Sequence, residues 1–155
     1  KNIPCLGICL GMQLMAIEFA RNVLGLDDAN STEFAKDCQY QIYQIMDGNL
    51  RLGDQDCLIK KGTVAETIYK ANEIKQRHRH RYGMVNPAYI KLFNDKGFKI
   101  SATSKYGKFT VAEFSELPNN RCYIGCQFHP EFHSRPKDTD PVFTYLIKKG
   151  IEYKK

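Results

Sequence analysis

No stretch of this 155-residue sequence approaches the roughly 20 consecutive apolar side chains a helix needs to cross a bilayer. The opening KNIPCLGICLGM also lacks the cleavage-site architecture of an export signal. The chain therefore reads as cytoplasmic, with no membrane partner. The six cysteines, Cys5, Cys9, Cys38, Cys57, Cys122 and Cys126, contain no CxxC pair and lie in apolar segments. Most are expected to be small buried hydrophobes kept reduced, not a disulfide framework. Internal repeats, low-complexity tracts and Pro/Ser linkers are missing too. Nothing marks a second domain, and residues 1–155 read as one α/β domain.

What is present is the make-up of an ordinary globular domain, 43% hydrophobic and 26% charged. A chain of this length buries roughly 70% of the surface its unfolded form exposes, enough for a core without metal or disulfide staples. Lys and Arg outnumber Asp and Glu by 23 to 17. The excess sits mainly in residues 75–81 and in Lys148, Lys149, Lys154 and Lys155. That pattern predicts local affinity for anions, not a nucleic-acid-binding fold.

Residues 3–8 read as a strand, followed by a sharp turn at Cys9 and a helix whose apolar positions Leu10, Leu14, Ile17 and Val23 stop at Gly25. Residues 27–34 are polar and turn-rich. Residues 38–46 are β-prone and lead through Asp47-Gly48-Asn49 to Leu50, which predicts a loop and then a hairpin. Thr63 and Glu66 open TVAETIY as a capping box, Asn86-Pro87 starts a helix running to about Lys96, and Asp140-Pro141 starts a C-terminal helix. Residues 98–104, 109–114 and 122–128 read as strands, the first two joined by a turn at Tyr106-Gly107.

The strongest single signal is Gly7-Ile8-Cys9-Leu10-Gly11, a GxCxG string at a strand-to-helix junction and the thiol counterpart of the GxSxG nucleophile elbow. The flanking glycines are expected to permit a tight turn that points Cys9 outward, while the helix behind it presents unpaired N–H groups that favour an anion. This setting predicts a thiol pKa lowered from about 8.5 toward neutrality, with the Leu10 N–H available to a developing oxyanion. The plain alternative is a buried cysteine in a glycine-flanked turn. A thiolate needs a base, and Gln127-Phe128-His129-Pro130-Glu131-Phe132 supplies His129 and Glu131 two residues apart, pointing the same way if the backbone is extended. Glu131 then fixes the imidazole tautomer and leaves the other nitrogen to take the Cys9 proton. The plain alternative there is a capped turn.

Together, GxCxGxQ early and HPE late resemble the signatures of the class I (triad) glutamine amidotransferases, in that family's order. Residues 29–34 (ANSTEF), 77–82 (RHRHRY) and 127–143 (QFHPEFHSRPKDTDPVF) are similar to its CTP synthase branch and not to the GMP, carbamoyl phosphate or anthranilate branches. The resemblance implies a three-layer, flavodoxin-like α/β fold. It makes Cys9 the nucleophile, His129 the general base and then acid, and Glu131 the residue that orients it. L-Glutamine would be the substrate, contacted by Leu10, Gln13, Glu33, Arg81 and Tyr82, with Glu33 on the α-ammonium and Arg81 on the α-carboxylate.

The same resemblance implies further strands and a glycine-rich turn before Lys1. It also implies a separate synthetase domain that uses ATP and Mg to aminate UTP to CTP, in a homotetramer activated by GTP. No cofactor or metal is implied for the glutaminase domain itself, and no nucleic acid. Residues 38–50 are shorter than in that branch, where a longer loop is tied to GTP, and Gly83 stands where relatives often carry an acidic residue. Without the glycine-rich turn only the Leu10 half of an oxyanion hole remains and the nucleophile strand becomes a raw sheet edge, so this segment alone is expected to be a poor glutaminase. From the residues alone, other readings stay open. Glu33 reads as a surface carboxylate, RHRHR as a solvated strand edge or a phosphate or RNA patch, and His78, His80, His129 and His133 with Glu131 as a metal set. The wider alternatives are another triad amidotransferase, or a non-catalytic basic module that binds RNA or a partner.

Overall fold

The computed structural model describes residues 2–154. Cys5–Ile8 (β1), Tyr123–Cys126 (β9), Phe109–Glu116 (β8), Lys99–Tyr106 (β7), Arg51–Ile59 (β4) and Glu73–His80 (β5) lie side by side, in that order, in a six-stranded sheet. β1 and β9 run parallel, and every other neighbouring pair is antiparallel. β1 is an edge strand, as expected, with β9 its one partner among the described residues.

Both faces of this sheet are covered. Helices Leu10–Asn22 (α1) and Pro87–Asp95 (α3) lie on one face, together with a small sheet of Ala29–Ser31 (β2), Tyr40–Ile45 (β3) and Tyr82–Gly83 (β6). Val64–Tyr69 (α2) and Pro141–Lys154 (α4) lie on the other. The β7–β8 register is irregular between Ile100 and Thr103, and the core divides there: Ile100 and Ala112 join the first layer, Ala102 and Phe114 the second. The expected three-layer α/β architecture is present, with a largely antiparallel sheet in its middle.

Helix starts follow the local chemistry. The Thr63 hydroxyl accepts from the Glu66 N–H at 3.2 Å, the Asn86 side chain from the Ala88 N–H at 2.9 Å, and Asp140 from the Val142 N–H at 3.0 Å. At α2 a distant residue completes the cap, because the buried Glu116 carboxylate accepts from the N–H groups of Val64 and Ala65 at 2.9 and 3.1 Å.

Two expectations are corrected. The hairpin across Asp47-Gly48-Asn49 does not form: β3 pairs with β2 and β6, while β4 crosses into the large sheet. There a ladder runs from Arg51 opposite His80 to Leu58 opposite Glu73, and the buried Arg51 finds its carboxylate partner, Glu113, on β8. The apolar stripe of α1 is also not the one Leu10, Leu14 and Val23 suggest. Those three are exposed, and the helix buries Met12, Met15, Ala16, Ile17, Phe19 and Ala20.

Small and flexible side chains face inward on α1 because its N-terminal turn lies on two glycines. Gly7 and Gly125 sit opposite each other in the β1–β9 register. A Cβ at Gly7 would fall 2.6 Å from the Gly11 carbonyl carbon, and one at Gly125 would fall 2.9 Å from Met12 Cγ. This paired notch sets how closely the helix start approaches the strand ends.

Candidate active site

The Cys9 N–H donates to the Cys126 carbonyl at 2.7 Å, extending the parallel ladder by one residue. The thiol thus sits at the carboxyl ends of β1 and β9, where open α/β sheets place ligands. Cys9 itself takes φ 51° and ψ −103°, while neither Gly7 nor Gly11 has positive φ. The turn is therefore made by a strained Cys9, at order 1–3 kcal/mol. The glycine requirement at residue 7 is one of space. This corrects the expectation that flexible glycines make the bend.

The thiol is half-buried, and burial pushes it above its ordinary range. The Leu10 N–H and the Gln127 side chain pull it down, while Glu131 and Glu33 push it up. The anticipated drop toward neutrality is thus reversed, because desolvation of the anion outweighs the helix-start N–H.

β9 ends at Cys126, and the chain turns at Pro130–Phe132 into a short 3-10 turn. His129 and Glu131 therefore do not share an extended strand, yet the turn still brings His129 Nδ1 to 2.6 Å from Glu131 Oε1. The His129 N–H donates to the Arg77 carbonyl at 2.8 Å, and its ring stacks on Phe132 at 5.0 Å between centroids. With Nδ1 committed to Glu131, Nε2 is left for proton transfer.

A cavity of about 230 Å³ opens beside the thiol. Its wall contains Cys9, Leu10, Gln13, Glu33, Arg81 and Tyr82, drawn from three separated segments, together with Leu50, Arg79 and His80. His129 and Glu131 are not part of that wall. One carboxylate and two guanidiniums in a small cleft suit a zwitterionic ligand.

Sequence reasoning assigned no role to Gln127, which is fully buried. Its Nε2 lies 3.6 Å from Cys9 Sγ, and its Oε1 accepts from Gln13 Nε2 at 3.2 Å. The available signal was a polar residue between the apolar run of β9 and HPE.

The RHRHR segment divides by strand period: Arg77 and Arg79 are exposed, His78 and His80 buried. His80 Nδ1 is 2.8 Å from the Tyr82 carbonyl, so it must donate, and His80 Nε2 accepts from His78 Nδ1 at 3.1 Å. His78 Nε2 is then an acceptor for the Cys57 thiol at 3.6 Å. Each link fixes the next tautomer, and both rings are neutral. Burial lowers His78 to about 2 and His80 to about 4, helped by the Arg51 charge. Arg51 is ion-paired with Glu113 and donates to Ser104 at 2.9 Å.

The residues of the alternative metal set do not converge. His129 faces Glu131, His133 pairs with Asp54 at 3.0 Å, and His78 and His80 are locked in the interior. Among the described residues a cluster of possible ligands occurs at Cys57, His78 and Glu113, where Arg51 already holds the carboxylate.

A thiol at a strand-to-helix junction beside a cleft of mixed charge suits nucleophilic chemistry on an amino acid. The model of the class-I glutamine amidotransferase family matches residues 1–149, and the chain belongs to that family. Within it, the chain is similar to CTP synthases: it is 50% identical over 164 residues to that of Hydrogenobaculum sp. (strain Y04AAS1) and 48% identical over 164 residues to that of Aquifex aeolicus (strain VF5). All of the chain is covered in both cases, but only 30% of each relative's length. The Trypanosoma brucei CTPS glutaminase domain with bound acivicin superposes with a TM-score of 0.91 at 38% identity, covering 97% of this chain and 61% of that one.

Proposed function

We propose that this domain is the glutaminase part of a CTP synthase, residues 1–155 being the C-terminal portion of the glutaminase domain. It hydrolyses L-glutamine to glutamate and ammonia. The observation that carries the reading is the convergence of Cys9, Leu10, Gln13, Glu33, Arg81 and Tyr82 on one cavity, with His129 and Glu131 paired in the 3-10 turn that follows β9. Glu33 holds the α-ammonium of glutamine and Arg81 its α-carboxylate, which leaves the side-chain amide to face Cys9. His129 takes the thiol proton as sulfur attacks the amide carbon, and the Leu10 N–H receives the developing oxyanion. The same imidazole returns the proton to departing ammonia. Water, activated by His129, then hydrolyses the thioester. Glu131 keeps the His129 tautomer fixed throughout.

Burial raises the thiol, so the attack depends on His129 to take the proton. The ammonia passes to a synthetase domain outside this chain, where ATP and Mg support amination of UTP to CTP, with GTP as activator and a cytoplasmic homotetramer as the assembly. Arg79 and Arg81 are committed to the substrate cleft and not to nucleic acid.

The test is labelling of the full-length protein with acivicin or a diazo-ketone analogue of glutamine, followed by peptide mass mapping. The adduct is expected on Cys9; an adduct on any other residue overturns the assignment. In Cys9→Ala, glutamine-dependent CTP formation should vanish while the ammonia-dependent reaction survives.

A further inference from the structure

Gln127 lies one residue beyond the Cys126 that pairs with Ile8, so it flanks the nucleophile across the strand ends. Its backbone is pinned, since its N–H donates to the Glu113 carbonyl at 2.9 Å. Its side chain is fully enclosed and touches two residues of the cleft. Gln13 Nε2 donates to Gln127 Oε1 at 3.2 Å, which turns the Gln127 NH₂ toward Cys9 Sγ, 3.6 Å away.

We propose that Gln127 is a positioning residue that ties the nucleophile to the substrate-contacting Gln13, its amide oxygen held by Gln13 and its amide N–H donating to the sulfur as the proton leaves. This deepens the glutaminase reading and rests on it for the role of Gln13. The electrostatics around the sulfur give the contact its importance. Burial opposes a negative sulfur most, and Glu131 and Glu33 add to it, while the Leu10 N–H and then the Gln127 side chain act in the other direction. Cys9 and Gln13 line the cavity and Gln127 does not, so Gln127 braces both from behind the wall. With both amides turned over, the Gln127 oxygen would instead face the sulfur and favour the thiol.

The experiment is the pH dependence of Cys9 alkylation by iodoacetamide in the full-length protein, mapped by mass spectrometry, for wild type, Gln127→Met and Gln127→Glu. Hydrogen bonds to charged groups of this kind predict about a tenfold slower reaction at neutral pH in Gln127→Met, from an inflection moved up by about one unit. Gln127→Glu should be slower still. The limiting rate at high pH should match wild type in Gln127→Met, which a loss of access or of fold would not allow. An unmoved or lowered inflection overturns the proposal, and a lowered one is the signature of the reversed amides. If both variants fail to fold, Gln13→Met removes only the anchor of the Gln127 oxygen; a smaller upward shift supports the proposal and an unchanged profile sinks it. Iodoacetamide does not require glutamine. A shifted profile in a protein that never hydrolyses glutamine would therefore reject the glutaminase reading while leaving the Gln127 contact standing.

Discussion

The two glycines of the GxCxG string should respond to alanine with opposite signs. At Gly7 an added methyl would lie 2.6 Å from the Gly11 carbonyl carbon and 2.8 Å from its oxygen, and would run into Met15 Sδ. A methionine can swing away, but two of these three atoms belong to the backbone of α1, so the helix start must lift off β1. Overpacking of this sort costs about 1–3 kcal/mol, and a backbone clash belongs at the upper end. At about 2–4 °C per kcal/mol for a domain of this size, Gly7→Ala should melt roughly 6–12 °C lower. At Gly11 an added methyl meets nothing within 4 Å. There alanine's better helix propensity should leave stability unchanged or improve it by up to about 0.5–1 kcal/mol. Thermal and urea unfolding followed by circular dichroism measures both, and Cys9 alkylation by iodoacetamide reports whether the thiol has moved. Equal stabilities for the two variants, or a Gly11→Ala loss as large as that of Gly7→Ala, would refute the account of how the helix is seated.

Three further outcomes are expected. Arg51→Met strands the buried Glu113 carboxylate and should cost about 3–5 kcal/mol in urea denaturation, much of it recovered when Glu113→Leu is added; a loss below about 1 kcal/mol contradicts the buried pair. Stability should fall as pH drops from about 6.5 to 4. The unfolded chain binds protons there that His78 and His80, lowered to about 2 and about 4, refuse, at up to about 1.4 kcal/mol per pH unit for each ring. His80→Gln should flatten part of that slope, and a flat wild-type profile would contradict neutral buried rings. Glu131→Gln should lower kcat for glutamine by about 10- to 100-fold, less than for a fully buried triad acid, because Glu131 is 43% exposed; an unchanged kcat would remove Glu131 from its orienting role.

Local signals were legible in the sequence wherever one turn of backbone decides the outcome. The caps at Thr63, Asn86 and Asp140, the strand-to-helix junction at Cys9 and the turn at Gly107 all belong to this class. Long-range pairing was not legible. β4 alternates too weakly to announce itself, and what draws it from β3 to β5 and β7 is a partner far along the chain. The α1 stripe was misread because Leu outranks Met and Ala in hydrophobicity, whereas the glycine notch beneath the helix selects for shape. The residues lining the cleft were named through a resemblance; their charges alone could not separate Glu33 from a surface carboxylate. The direction of the Cys9 shift was missed because helix N–H groups are visible in a string of letters and desolvation is not. Gln127 escaped for a related reason, its importance lying in what stands across the strand ends.

The dihedral angles at residue 9 resemble the first central position of a type II′ turn, where glycine is at ease and a side chain is not. The fold therefore carries a standing penalty at the one place where it needs sulfur. Cys9→Ser or Cys9→Ala would silence the chemistry and keep the penalty, whereas Cys9→Gly would silence it and release the strain. A dead protein of the last kind should be the sturdier molecule, and a lineage that no longer needed the reaction would have a downhill route to forgetting it.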